Sequence, residues 1–279
     1  MAATTHYAIR GGAQGRERLR ILARTMHAST TALFERLGVG EGLACLDVGC
    51  GGGDVAFELA RRVGAQGRVV GVDLDQAKLA LASQEAEAHG LGNVEFRTLD
   101  IRNPAAGASF DMVYARFLLS HLEEPRRAVE AFYSFVRPGG LVIVEDIDAS
   151  GCFTWPESDA FRRYWGLYCA VVQRRGGDPN IGPRLPLLLA DGGFERVEMN
   201  LTQPIGTHGE VKLINPITME NIADAVLADG LASQEEIDYL IEALHEFAAN
   251  PRTVAGLARV IQAWGRRPPV FSAFVPPFH

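Results

Sequence analysis

Short apolar runs ending in glycine or aspartate alternate, over the first half of the chain, with longer stretches of helical period. The runs at 43–48, 68–73, 94–99, 110–114 and 141–145 predict strands, being too short for helices and flanked by turn-forming residues. Between them, 55–63, 76–89 and 124–136 predict helices, the last ended by Pro138-Gly139-Gly140. Alternation of this length predicts a parallel sheet with right-handed crossovers. Ahead of it, Leu19, Leu22 and Ala23 mark a helix around 16–23, and a second helix is expected at 30–37. After Asp148 the rhythm breaks. An aromatic helix is expected over 155–175, carrying Phe161, Tyr164, Trp165 and Tyr168. A helix–strand pair at 185–192 and 194–201, a helical block over 219–250 and a last strand at 259–264 complete the pattern. The expected fold is one α/β domain in three parts: a helical arm or lid at 1–40, a core at 41–150, and the rest of the sheet with helical cap insertions at 151–279.

Composition narrows the function. Hydrophobic residues make up 47% of the 279, enough for a full core and too many for a disordered chain. A formal net charge of −7 argues against a nucleic-acid partner, which calls for a basic face. The cysteines, Cys45, Cys50, Cys152 and Cys169, form no Cys-x-x-Cys pair and read as reduced, mostly buried thiols. The histidines do not cluster at metal-ligand spacing, so no metal is expected. No charged head with a following apolar run opens the chain, and no apolar stretch has membrane-spanning length. A cytoplasmic protein without membrane contact is expected; a homodimer is compatible with the sequence, which does not fix the oligomeric state.

The chemistry is concentrated in Cys45-Leu46-Asp47-Val48-Gly49-Cys50-Gly51-Gly52-Gly53-Asp54. A strand running through glycines into a helix brings backbone close to a ligand, since no Cβ intervenes. A dinucleotide loop needs glycine where Asp54 stands, and a carboxylate there repels a pyrophosphate. It does not repel a phosphate-free ligand bearing cationic groups. Asp73 closes the second strand, where a carboxylate can accept from both ribose hydroxyls. Asp100 closes the third, with apolar Ile101 beside it to pack on an adenine. A lone aspartate at a strand end serves equally well as a turn or helix cap. Three in succession beside a glycine loop are hard to explain that way.

With Gly71-Val72-Asp73-Leu74 and Asp100-Ile101, this loop resembles the class I S-adenosylmethionine-dependent methyltransferases, whose Rossmann-like sheet has seven mostly parallel strands. The following block is similar to the small-molecule branch related to ubiquinone-biosynthesis methyltransferases: 110–117, then His121-Leu122-Glu123-Glu124-Pro125 and Pro138-Gly139-Gly140. The resemblance covers about 40–150 and fades where such families differ by substrate. It implies S-adenosylmethionine as cofactor and S-adenosylhomocysteine as product. It implies that Asp47 orients the methionine amino group, that Gly49, Cys50 and Gly51 form the floor, and that Asp73 and Leu74 meet the ribose side. Asp100 and Ile101 would frame the adenine, and Arg116 and Phe117 would lie against the methionine portion. Tyr7 and Arg18, in the arm, resemble part of an N-terminal lid over the cofactor.

Methyl transfer from a sulfonium is an in-line displacement, so such a protein chiefly aligns its reactants and excludes water. A base is needed only for a nucleophile that arrives protonated, and His121 is the candidate, against the simpler reading of a histidine holding its helix. The expected substrate is a small organic molecule, a secondary metabolite or quinone-like acceptor, under a cap walled by the aromatic helix and the block at 219–250. The alternatives are methylation of protein or nucleic acid, a fold relative catalysing a non-methylating reaction such as a cyclisation, and a non-enzymatic binding protein. Arsenite methylation is disfavoured, because only Cys152 and Cys169 could supply its paired thiols.

Overall fold

Strands in which consecutive residues are buried on alternate faces need a layer of helices on each side, and the chain supplies both. The computed structural model describes residues 12–102 and 109–269. The first half runs α1 (Gly12–Arg36), β1 (Ala44–Val48), α2 (Asp54–Val63), β2 (Arg68–Asp73), α3 (Gln76–Ala88), β3 (Val94–Thr98), β4 (Phe110–Arg116), α4 (Pro125–Phe135) and β5 (Val136–Asp148). The second half runs β6 (Phe153–Trp155), α5 (Asp159–Arg174), α6 (Leu185–Asp191), β7 (Glu195–Thr202), β8 (Ile205–Gly206), α7 (Glu210–Ala228), α8 (Gln234–Ala249), β9 (Val254–Gly256) and β10 (Arg259–Arg266).

The main sheet has seven strands in the order β3-β2-β1-β4-β5-β10-β7, all parallel except β10, which runs antiparallel between β5 and β7. Leu46, Val48, Val113 and Val144 point to one face, where α4 and α6 cover them with Phe132 and Leu189. Cys45, Met112, Tyr114 and Ile143 point to the other, under Phe34 of α1 and Leu59 of α2. A third apolar cluster joins α5, α7 and α8 into a cap of their own. Among the described residues, no helix is long and apolar enough to cross a membrane.

Several expectations need correction. The arm holds one helix rather than two: nothing breaks α1, and the hydroxyls of Thr25, Ser29 and Thr31 return to helix carbonyls at Ile21, Met26 and His27. The block at 219–250 is two helices, α7 having begun at Glu210 and the chain turning through Gly230. The aromatic helix starts at Asp159, capped by the Ser158 hydroxyl, because Phe153–Trp155 has been drawn into a small three-stranded sheet, β6-β9-β8. β3 ends at Thr98, which leaves Asp100 just past the strand. His121 lies on a 3-10 turn, Leu119–His121, rather than on a helix.

Candidate active site

The strand order reverses beside β1: the chain steps outward from β1 to β3, then returns to place β4 on the other side. In open α/β sheets the crevice at the carboxyl ends of such strands is the ligand site. Here it opens into one cavity of about 1280 Å³, counting its mouth. The cavity runs from the glycine loop to the aromatic side chains of the cap.

At the floor, the amides of Gly49 and Cys50 both donate to the Val72 carbonyl, folding the loop back over β2. Gly51, at φ +54°, donates its amide to Asp73 Oδ2 at 2.9 Å, while Asp73 Oδ1 accepts from Asp75 N at 3.0 Å. Asp73 is thereby oriented at the end of β2 with lone pairs to spare.

Asp47 is the most perturbed acid of the site. It is 2% exposed, its carboxylate accepts from the Ala56 amide, and Oδ2 has no partner among the described residues. Burial pushes its carboxyl up to about 7, opposed by the Arg116 guanidinium and reinforced by the Asp73 charge. Arg116, at the end of β4, is fixed from behind by Thr30, whose hydroxyl accepts from Nη1 at 3.2 Å. Thr30 in turn belongs to a buried network in which Glu145 accepts from Thr30, Tyr114 and Gln262. The next residue, Phe117, takes a left-handed backbone at φ 53°, a conformation a bulky side chain adopts only under constraint, and it lines the cavity.

The cap half is lined by Tyr164, Trp165 and Tyr168 of α5, as expected, but the α7 contribution is Ile214 and Thr218, ahead of the anticipated block. Phe161 turns away into the cap's own core. His121 stands between the halves; burial and the like charges of Arg18 and Lys78 push its imidazole down to about 4, so it is neutral at physiological pH.

Arg18 lines the cavity with its Nε donating to Thr218 Oγ1 at 3.0 Å. Leu74, Asp100 and Ile101 lie outside the cavity lining: Leu74 is exposed, Asp100 holds the Arg102 guanidinium at 2.8 Å, and Ile101 is buried in the core. Tyr7 lies outside the described residues.

Sequence reasoning missed Arg16. Its guanidinium, 5% exposed, grips Asp54 at 2.5 and 3.0 Å and Glu85 at 2.7 and 3.1 Å. It lies so close over the glycine loop that a Cβ on Gly52 would stand 2.5 Å from Nη1. The carboxylate at the loop's sixth position is thus neutralised by α1. The only signal in the sequence was charge of opposite sign, far apart in the chain.

Comparison with known proteins agrees with this geometry. Residues 40–169 match the family described as "Methyltransferase domain". A ubiquinone biosynthesis O-methyltransferase of Acinetobacter baumannii is 35% identical over 116 residues, 41% of this chain and 48% of that protein. The chain spans about half the length of the curated relatives it matches. Among solved structures, coclaurine N-methyltransferase bound to N-methylheliamine and S-adenosylhomocysteine superposes with a TM-score of 0.55 at 18% identity, covering 86% of this chain and 72% of that one. The [4+2]-cyclase SpnF gives 0.53 at 20% identity, covering 87% and 81%. At these identities the structural likenesses establish the fold alone. The matched segment, the strand order and the glycine floor agree: residues 40–169 carry a class I S-adenosylmethionine-dependent methyltransferase domain.

Proposed function

We propose that the protein transfers the methyl group of S-adenosylmethionine to a small organic molecule held beneath the aromatic cap. One observation carries the reading: a single cavity joins the orphaned Asp47 carboxylate to Tyr164, Trp165 and Tyr168, so a cofactor and an acceptor can meet without leaving it. The donor set fits the cofactor. An ammonium group satisfies Asp47 Oδ2, and the carboxylate of the same amino acid suits Arg116, whose charge already acts on Asp47. Gly49, Cys50 and Gly51 give a floor without side-chain obstruction, and the free lone pairs of Asp73 suit the ribose hydroxyls. On the family resemblance Leu74 is assigned to the ribose side and Asp100 and Ile101 to the adenine end, Asp100 sharing its carboxylate with Arg102. Phe117 packs between the halves.

When bound, S-adenosylmethionine supplies a methyl group activated by its sulfonium. The chain's own part is to hold the two reactants in line, and to exclude water with α1 as arm and α5 and α7 as cap. His121, neutral at physiological pH, can serve as the proton acceptor for a hydroxyl nucleophile; with its basicity so depressed it suits an acidic hydroxyl better than an aliphatic alcohol. The acidic net charge supports a small metabolite, of secondary-metabolite or quinone-like type, over nucleic acid, and the four free cysteines support a cytoplasmic site of action.

The test is incubation with methyl-labelled cofactor and a metabolite extract. Label in small molecules is expected. Label in protein or nucleic acid overturns the substrate class, and tight cofactor binding without transfer places the chain with the non-methylating relatives of the fold.

A further inference from the structure

The arginines of α1 are not alike. Arg16 is matched by Asp54 and Glu85, Arg20 by Glu85 and Arg24 by Glu210. Arg18 is 8% exposed and lines the cavity, yet no carboxylate among the described residues pairs with it. Its one hydrogen bond among the described residues, from Nε to Thr218, leads to α7 of the cap. A guanidinium stays charged at any physiological pH, and a buried charge of this kind is retained where something meets it. The acids lining the cavity stand at its cofactor end: Asp54 is held by Arg16, Asp73 accepts from the glycine loop at the end of β2, and Asp47 feels the charge of Arg116.

Two arginines of the cavity, Arg116 and Arg18, have no salt bridge among the described residues, and they divide it. Arg116 acts on Asp47, at the cofactor end. Arg18 acts on His121 and on Tyr164, at the cap end. A cofactor with one amino-acid carboxylate fills the first arginine and leaves the second for the acceptor. We propose that the acceptor carries a carboxylate, gripped by Arg18 in the cap half of the cavity, which rests on the cofactor reading given above.

With Nε spent on Thr218, the plane of the guanidinium is fixed and its two Nη groups remain as a fork matched to a planar carboxylate. Trp165, whose ring lines the same wall, adds an indole Nε1 that has no hydrogen-bond partner among the described residues. The other walls, Tyr164 and Tyr168, are aromatic, so the body of the acceptor is flat and apolar: an aromatic carboxylic acid. The carboxylate is a handle. Pairing with a guanidinium lowers its nucleophilicity, and the atom that receives the methyl group lies elsewhere on the ring or its substituents.

The test uses the full chain saturated with S-adenosylhomocysteine and, as probes, benzoate, 4-hydroxybenzoate and cinnamate beside their uncharged methyl esters, with binding read by calorimetry. At least one acid is expected to bind tenfold or more tighter than its ester. Arg18→Gln should erase that preference and leave S-adenosylhomocysteine affinity within threefold of the wild type; Arg18→Lys should recover part of it. Thr218→Val, which frees the guanidinium without removing it, should weaken the acid three- to tenfold and serves if Arg18→Gln does not fold. A tenfold or larger loss of S-adenosylhomocysteine affinity in Arg18→Gln assigns the arginine to the cofactor's own carboxylate and overturns the proposal. So does equal binding of acids and esters, or no binding of any acid. Failure of the wild type to bind S-adenosylhomocysteine instead overturns the cofactor reading.

Discussion

Asp47→Asn should make the free protein more stable and less able to bind its cofactor, because the same buried carboxylate is responsible for both effects. Its carboxyl is raised from an ordinary 3.8 to about 7, chiefly by burial. A folded protein that binds this proton more tightly than the unfolded chain has the associated stability in full below pH ~4, and loses it as pH rises through about 7. The ceiling on the loss is roughly 4 kcal/mol. Asparagine keeps the shape and removes the charge but leaves an amide group to satisfy, so a gain of about 1–3 kcal/mol is expected at pH 8. At roughly 2–4 °C per kcal/mol, that raises Tm by about 2–12 °C. At pH 5 the wild-type carboxyl is itself protonated, and the advantage should vanish. Binding runs the other way. An ammonium partner requires the ionised form, so wild-type affinity for S-adenosylhomocysteine should fall about tenfold between pH 8 and pH 6, with a proton released on binding. The variant should lose about 30-fold or more at pH 8 and show no such pH dependence. Melting curves at pH 5 and 8, and calorimetry in buffers of different ionisation enthalpy, measure all of this. A variant less stable than wild type at pH 8, an equal gain at both pH values, or affinity within threefold of wild type would refute the assignment.

Asp73→Ala should weaken S-adenosylhomocysteine binding by about 30- to 1000-fold, the worth of roughly 2–4 kcal/mol of charge-assisted hydrogen bonds, and calorimetry giving a loss under threefold would exclude the ribose role. Arg16→Met leaves Asp54 without its cation and Glu85 with Arg20 alone, and should cost about 2–4 kcal/mol in urea unfolding, a figure reduced because both acids are partly exposed. Gly52→Ala, which drives a methyl group into the Arg16 guanidinium, should be far from additive with it; additive losses would mean that the two do not share one clamp. His121→Ala should lower kcat by about 100-fold with S-adenosylhomocysteine affinity unchanged if the imidazole is the base, and normal turnover would leave it a structural role. Because the His121 imidazole is lowered to about 4, its stabilising effect is complete above pH ~6.5 and disappears as pH falls through 4; His121→Gln should therefore flatten acid unfolding over that window.

What was legible in the sequence was whatever depends on neighbours along the chain. β1, β2, β4 and β5 announced themselves because a strand buried on both faces is an unbroken apolar run, and Asp47 and Asp73 followed from their places at or near the ends of such runs. The glycine loop was legible because its backbone conformations exclude other residues locally. What was not legible depends on partners far away. Arg16 reads as one more surface charge until α2 and α3 bring Asp54 and Glu85 to it. Thr218 sits unremarked in α7 until Arg18, from the other end of the chain, donates to it. The small sheet β6-β9-β8 escaped because strands so short carry no alternation to read. Nor was it legible that the turn after β3 parts two neighbours, burying Ile101 in the core and leaving Asp100 near solvent beside Arg102.

Helix α1 shows how one amphipathic pattern can serve a purpose other than core packing. Gly15, Leu19, Leu22 and Met26 recur at helical spacing, and all four line the cavity, so this stripe is its roof. Arg16 and Arg18 stand two positions apart, which on a helix sends them to different sides of that stripe. Arg16 therefore reaches down to the acids of α2 and α3, while Arg18 reaches across to α7. Thr30, further along the same helix, accepts from Arg116 and donates to Glu145, tying the roof to the strand ends beneath. Lifting the roof means breaking the Arg16 contacts and the Arg18–Thr218 bond together, since one rigid helix carries both. The charged groups of α1 hence hold the glycine loop and the cap to one helix, Arg16 at one side of the stripe and Arg18 at the other.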